Sequence, residues 1–128
     1  MKLLVDTCTF LWIVSGADDL SPVVADAVRD PANDVYLSAA SSLEIAVKHA
    51  RGRLSLPDAP ERYVPDARTR HGIDPIAIDE ECALHVSKLE ALHRDPFDRL
   101  LVAQAIVHGL TIATPDPLIR QYPARSMW

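Results

Sequence analysis

The sequence predicts an α/β fold, a three-layer α/β/α sandwich with a central parallel sheet of four to five strands. Short apolar runs, such as Leu3 to Val5 and Val35 to Leu37, have the length of buried strands. Stretches with helical spacing of apolar residues follow them, and strands that alternate with helices favour right-handed crossovers and a parallel sheet. The chain has 128 residues, of which 48% are hydrophobic, so we expect one compact domain over residues 1–128.

The first half of the chain predicts two strands and three helices. Ser21 and Pro22 supply an N-cap and a first-turn proline for the second helix, and Gly52 is a stop signal after the third. In order, the predicted elements are a strand at 3–5, a helix at 7–14, a helix at 23–29, a strand at 35–37 and a helix from 39 or 41 to about 51.

The second half predicts further strands and helices, two of them disturbed by proline. Pro65 lies inside a helical stretch at 61–70, so we expect a kink or two short pieces. Pro75 interrupts a strand at 73–78, which favours an edge strand. The remaining predicted elements are helices at 79–89 and 97–108, a strand at 110–113, a short helix near 116 and a fifth strand at 124–128.

Composition limits the classes of protein and partner. The 13 basic and 18 acidic residues give a formal charge of −5, which argues against nucleic-acid binding through net charge alone. Cys8 and Cys82 form no C-x-x-C pair, and no signal peptide is recognisable at the N-terminus. No apolar run approaches the 18 or so residues that span a bilayer. We therefore expect a soluble, cytoplasmic protein with no membrane partner.

Four acidic residues are predicted to meet in one cleft. Asp6 and Asp116 follow predicted strands, whereas Glu44 and Asp98 lie in the first turns of predicted helices. The functional crevice of an open parallel sheet lies at the carboxyl ends of its strands. Like charges 4 Å apart repel by about 1 kcal/mol even in water, so a shared cleft needs a counter-ion. Oxygen ligands without organised His or Cys favour Mg²⁺ or Mn²⁺ over zinc.

Each of these acids also has a purely structural interpretation. Asp6 could cap the helix that follows it, and Asp98 could complement a helix dipole. Glu44 precedes Lys48 by four residues, the spacing of an ordinary surface ion pair.

Neighbouring polar residues are candidates for supporting roles. Asp95 could cap the helix after it or assist the acids, and the hydroxyl residues Thr7, Ser38 and Thr114 could orient the acids or cap local structure. The basic residues that could contact RNA phosphates are Lys48, His49, Arg51, Arg53 and Arg99, although a solvated helix face is the commoner meaning of such charges. The five histidines are scattered without metal-ligand spacing, which predicts surface or core roles for them.

Four segments carry a family resemblance: Leu-Leu-Val-Asp-Thr at 3–7, Ser-Ser-Leu-Glu-Ile-Ala-Val-Lys at 41–48, Asp-Pro-Phe-Asp-Arg-Leu-Leu-Val-Ala-Gln-Ala at 95–105 and Ile-Ala-Thr-Pro-Asp at 112–116. Together they resemble a PIN domain, and most of all the VapC type of toxin ribonuclease. In two places the sequence departs from that pattern. Leu43 stands where related sequences often have Trp, and Pro115 removes a backbone donor beside Asp116.

The resemblance implies a PIN-like fold and Mg²⁺-dependent endonucleolytic cleavage of RNA. Asp6, Glu44, Asp98 and Asp116 then correspond to the acidic metal site, with Mg²⁺ or Mn²⁺ as cofactor. A VapB-type antitoxin partner and a homodimer are implied as well. We expect a metal-activated water to attack the phosphodiester bond.

Two other functions remain open at this stage. A phosphatase of the haloacid dehalogenase type also has an Asp after its first strand, but it needs a second Asp two residues later, where this chain has Cys8. A non-catalytic α/β module could use the acids to bind a cation or a basic partner.

Overall fold

The computed structural model describes residues 1–128, and its five strands form one parallel sheet in the order β3-β2-β1-β4-β5. The strands are β1 (Lys2–Val5), β2 (Asp34–Ser38), β3 (Asp74–Ile76), β4 (Thr111–Ala113) and β5 (Ser126–Met127). The α-helices are α1 (Thr7–Ser15), α2 (Pro22–Arg29), α3 (Ala39–Ala50), α4 (Pro60–Arg70), α5 (Glu80–His85) and α6 (Pro96–His108). Two 3₁₀ helices span Val86–Lys88 and Ile119–Gln121.

The central strand β1 separates two hydrophobic clusters, because successive side chains of a strand point to opposite faces. Leu3 and Val5 belong to the cluster that includes Phe10 of α1 and residues of α2, α3 and α4. Leu4 belongs to the other cluster, which includes Leu101 of α6. Helices therefore cover both faces of the sheet, and the predicted three-layer fold class is confirmed.

Several local signals act as predicted. The Ser21 side chain accepts a hydrogen bond from the backbone N–H of Val24 and caps α2. Gly109 ends α6 in the left-handed conformation, with a φ of 66° that glycine adopts without strain. Pro75 lies in the edge strand β3, where a missing N–H costs little.

Two predicted helices differ from those observed. Residues 60–70 form one helix despite Pro65. Pro65 has no N–H to donate to the carbonyl of Glu61, but the helix continues because both residues lie on its exposed face. The helix predicted at 79–89 ends at His85 and continues as a 3₁₀ turn. In this turn the carbonyl of Val86 is bound by the Arg99 guanidinium, a long-range contact that local periodicity does not reveal. None of the helices combines the length and the hydropathy that a membrane-spanning segment requires.

Candidate active site

The four predicted acids line a single cleft of about 310 Å³ at the carboxyl end of the sheet. Asp6 follows β1, Glu44 lies in the second turn of α3, Asp98 lies in the first turn of α6 and Asp116 follows β4. The cleft is lined by Asp6, Thr7, Cys8, Glu44, Lys48, Asp95, Asp98, Pro115 and Asp116. The strand order explains why Asp6 and Asp116 lie close together. β1 and β4 are neighbouring parallel strands, so the residues that follow them lie at the same end of the sheet.

Asp6 is buried at the base of the cleft, with 3% of its surface exposed. Its Oδ1 accepts the backbone N–H of Thr9 at 2.9 Å and caps α1. Its Oδ2 accepts a short hydrogen bond from the hydroxyl of Thr114, a residue that follows β4. The structural interpretation of Asp6 as a cap is thus correct, and the same carboxylate also faces the cleft.

Glu44 is the second buried acid, and 4% of its surface is exposed. Its Oε1 accepts a hydrogen bond of 2.6 Å from the Thr7 hydroxyl, and its Oε2 contacts the Lys48 ammonium one helical turn later. This hydrogen bond to Glu44 raises the pKa of Lys48, although partial burial opposes the change. The pair is not an ordinary surface ion pair, because its carboxylate is buried in the cleft.

The other two acids, Asp98 and Asp116, form the outer half of the site and lie beside His93. The Nε2 atom of His93 lies 3.1 Å from Oδ2 of Asp98 and 2.8 Å from Oδ2 of Asp116. Only 13% of the His93 side chain is exposed. The sequence interpretation that no histidine is organised beside the acids is therefore wrong for His93.

The two outer acids differ in their electrostatics. Burial, together with the negative charge of Asp95, raises the pKa of Asp98 to about 7, and His93 only partly opposes this. Burial would also raise the pKa of Asp116, but hydrogen bonds from His93 and from the backbone of Leu118 and Ile119 outweigh it and keep that pKa below its usual value. Asp98 is consequently the carboxylate whose charge is least compensated.

The predicted supporting residues divide into two kinds. Thr7 and Thr114 donate hydrogen bonds to Glu44 and Asp6. Thr114 also accepts the backbone N–H of Asp116 at 3.0 Å, which fixes the chain after Pro115. Asp95 caps α6 and lines the cleft, and its support of the acids stays a prediction. Ser38, in contrast, only caps α3 through the backbone N–H of Ala40 and makes no hydrogen bond to the acids.

The Arg99 guanidinium, a predicted candidate for contact with RNA phosphates, binds partners within the protein. It donates to the carbonyls of Val86 and Glu90 at 3.0 Å each and to the Tyr122 hydroxyl at 3.2 Å. Arg99 therefore holds the segment before α6 in place. Lys48 lines the cleft, and Arg51 and Arg53 are exposed beyond the end of α3, where their contact with RNA stays a prediction.

Two other places on the molecule have features of a binding site. A larger cleft of about 770 Å³ lies near the amino end of β2, but its lining residues include none of the four acids. Asp79, Cys82 and His108 also bring potential ligand atoms within 4.8 Å of one another. There Asp79 caps α5 and pairs with His108 at 3.0 Å, while burial raises the pKa of the Cys82 thiol to about 12. Helix capping and pairing account for that group.

Comparisons with known proteins agree on one family. A model of the PIN domain matches residues 3–124. Ribonuclease VapC16 of Mycobacterium tuberculosis is 40% identical over 58 residues, a stretch that covers 45% of this chain and only 41% of that relative's length.

Solved structures with the same fold are more distant in sequence. VapBC2 from Rickettsia felis, bound to a DNA fragment from its promoter, has a TM-score of 0.73 at 13% identity, with 99% of this chain and 98% of that chain covered. FitAcB from Neisseria gonorrhoeae has a TM-score of 0.64 at 22% identity, with 98% and 96% covered. VapBC-1 from nontypeable Haemophilus influenzae has a TM-score of 0.67 at 15% identity, with 99% and 97% covered. At these identities the likeness concerns the fold.

Proposed function

Because this chain belongs to the PIN domain family, we propose that it is a Mg²⁺- or Mn²⁺-dependent endoribonuclease and the toxin of a VapBC-type toxin-antitoxin pair. One observation carries the proposal: four acids from widely separated segments of the chain line a single cleft. The similarity to the ribonuclease VapC16 adds support for RNA as the substrate class.

The donor set of the cleft fits a hard divalent cation. Carboxylate oxygens are the ligands that Mg²⁺ and Mn²⁺ favour. Only two side chains that can carry positive charge, Lys48 and His93, contact the four acids. Burial, together with the negative charge of Asp95, raises the pKa of Asp98 to about 7, and a divalent cation in the cleft would favour its charged form. We propose that Asp6, Glu44, Asp98 and Asp116 would hold the ion.

The residues of the chain prepare the site for phosphodiester hydrolysis. When bound, Mg²⁺ or Mn²⁺ would supply activation of water and stabilisation of charge on the phosphoryl group. Thr7 and Thr114 orient the two buried carboxylates, so little reorganisation is needed at the base of the cleft. Lys48 is about half exposed at the rim, where its ammonium can meet an RNA phosphate.

We propose an antitoxin of the VapB type as the protein partner and a homodimer as the working assembly. The R. felis and H. influenzae structures of the same fold are VapBC complexes, which supports such a partner. A partner that covers the carboxyl end of the sheet would block access of RNA to all four acids at once.

The decisive experiment measures RNA cleavage after EDTA treatment and after Mg²⁺ or Mn²⁺ is added back. The purified protein is incubated with single-stranded RNAs of mixed sequence, beside Asp98→Asn and the control Asp74→Asn, which changes an exposed acid of the edge strand. Loss of a residue that merely supports a metal ligand costs 10- to 100-fold, so we expect Asp98→Asn to lose about 100-fold or more and the control to keep full activity. Cleavage that survives chelation contradicts the proposal.

A melting experiment tests the metal site separately from catalysis. Because a ligand that binds only the folded state stabilises it, millimolar Mn²⁺ should raise the melting temperature of the wild type. Asp98→Asn should blunt that increase. If the protein binds Mn²⁺ but neither the wild type nor Asp98→Asn cleaves any RNA, the non-catalytic binding module is the better description.

A further inference from the structure

We infer that His93 is a positioning residue of the acidic site: its Nε2–H binds the carboxylate of Asp116 and holds it beside the carboxylate of Asp98, so that both can face one cation. The inference rests on the proposed metal site and extends it to a residue outside the four acids. Asp98 belongs to α6 and Asp116 to the segment after β4, and His93 bridges these two segments.

The hydrogen bonds around the ring assign its tautomer. The backbone N–H of Asp95 donates to Nδ1 of His93 at 3.1 Å, so Nδ1 is an acceptor and carries no proton. The proton of the neutral imidazole is therefore on Nε2, the atom that lies between Asp98 and Asp116. This N–H donor is hydrogen-bonded to Asp116 at 2.8 Å and lies 3.1 Å from Oδ2 of Asp98.

The same arrangement argues against His93 as a metal ligand. Ligation through Nε2 would require that atom to lose its proton to Nδ1. The Nδ1–H group would then face the N–H of Asp95, and two donors would oppose each other at 3.1 Å. A role as hydrogen-bond donor to Asp116 agrees with the backbone geometry, whereas a role as metal ligand does not.

The main chain of His93 is itself fixed by long-range contacts. Its N–H donates to the Tyr122 hydroxyl at 2.9 Å, and that hydroxyl donates to the carbonyl of Glu90 at 2.8 Å. The Arg99 guanidinium contacts the same hydroxyl and lies 3.4 Å from the carbonyl of His93. These contacts hold the loop in a conformation in which the imidazole of His93 faces the acids.

The first test observes the tautomer without using activity. In a ¹⁵N-labelled sample, long-range ¹H–¹⁵N correlation spectra distinguish a protonated Nε2 from a protonated Nδ1. We expect His93 to carry its proton on Nε2 in the metal-free protein and to keep it there in saturating Mg²⁺. A switch to protonated Nδ1 on addition of Mg²⁺ would show ligation and overturn the inference.

The second test uses variants that separate the donor from the ring. Glutamine can place an amide N–H near the position of Nε2, whereas asparagine reaches only the position of Nδ1. We expect His93→Asn to weaken Mg²⁺ binding, measured by calorimetry, by about 10- to 100-fold, the cost of losing a support for a metal ligand. His93→Gln should stay within about threefold of the wild type, and His71→Asn, at an exposed histidine, is the control.

The outcomes separate this inference from the proposed function. Equal Mg²⁺ affinity of His93→Asn and the wild type, or equal losses in the Gln and Asn variants, would overturn the positioning role while the nuclease proposal stands. Wild-type protein that binds Mg²⁺ but cleaves no RNA would contradict the nuclease proposal, and the affinities would still decide the role of His93. Wild-type protein that binds no Mg²⁺ would overturn both.

Discussion

The two halves of the acidic cleft are held in different ways. Asp6 and Glu44 are almost completely buried, and neutral threonine hydroxyls bind both of them. Asp98 and Asp116 are more exposed, with 17% and 28% of their side chains accessible, and each has a carboxylate oxygen within 3.1 Å of His93 Nε2, which is hydrogen-bonded to Asp116. The inner half is therefore built into the core, whereas the outer half depends on one loop. We therefore expect substitutions in the two halves to have effects of different size on RNA cleavage, metal binding and stability.

The largest effect is expected for Asp6→Asn. Asparagine preserves the cap of α1, so the fold should persist, but the charge at the base of the cleft is lost. We expect RNA cleavage to fall by about 100-fold or more, and Asp116→Asn to lose less, since Oδ1 of Asp116 is engaged with backbone N–H groups. Initial cleavage rates at saturating Mg²⁺ measure both. A greater loss in Asp116→Asn would reverse the proposed ranking of the two halves.

Thr114→Val tests whether the inner half needs its hydroxyl support. The substitution preserves shape but removes the donor to Asp6 and the acceptor for the N–H of Asp116. We expect a loss of Mg²⁺ affinity of about 10- to 100-fold in calorimetry. Thr111→Val, in strand β4 just before Thr114, is the control. If the two valine variants bind Mg²⁺ equally well, the hydroxyl does not orient the acids.

Asp98→Asn should stabilise the metal-free protein at high pH. The folded-state pKa of about 7 lies above the ordinary 3.8, so the folded protein binds more protons between these values and its stability decreases as the pH rises through this range. The full difference corresponds to about 4 kcal/mol, and partial exposure and solvent screening reduce this to an expected gain on the order of 1 to 2 kcal/mol at pH 8.

Urea unfolding in EDTA at pH 8 and pH 4 measures this gain. It should vanish near pH 4, where Asp98 is protonated in the folded protein. If Asp98→Asn is only as stable as the wild type at pH 8, the negative charge of Asp98 does not destabilise the metal-free protein.

The smallest effect is expected for Lys48→Gln, which removes the ammonium beside Glu44. A divalent cation in the cleft is repelled by that positive charge, although exposure to solvent weakens the repulsion. We expect Mg²⁺ to bind about two- to fivefold more tightly in calorimetry, with Lys88→Gln as the control. Weaker Mg²⁺ binding in Lys48→Gln would mean that the lysine orders Glu44 rather than competes with the cation.

The same contrast explains what the sequence could predict. Asp6 and Asp116 are recognisable because each follows an apolar strand, and parallel strands end at a common edge. Glu44 and Asp98 lie near the starts of periodic helices. These positions follow from local patterns together with one rule about sheets, so the residues of the cleft could be named before any coordinates.

His93 and Arg99 could not be placed in this way. His93 lies in a loop without periodicity, and its position depends on Tyr122, which is 29 residues away. Arg99 occupies a helix start next to an acid, which resembles a phosphate contact, yet its partners are backbone carbonyls of residues 86 and 90. The sequence signal for His93 is its spacing: it lies two residues before Asp95, the cap of α6, and five before Asp98 in the first turn of that helix.

The hydroxyl of Thr114 joins the two halves through a single side-chain torsion. The hydroxyl donates a hydrogen bond to Asp6, and its oxygen accepts a hydrogen bond from the backbone N–H of Asp116. A rotation about the Cα–Cβ bond would break both contacts in the same movement, so the residue directly after β4 couples the innermost acid to the outermost. We therefore expect the carboxylates of Asp6 and Asp116 to gain or lose their alignment together. Thr114→Ser keeps the hydroxyl and should preserve this coupling.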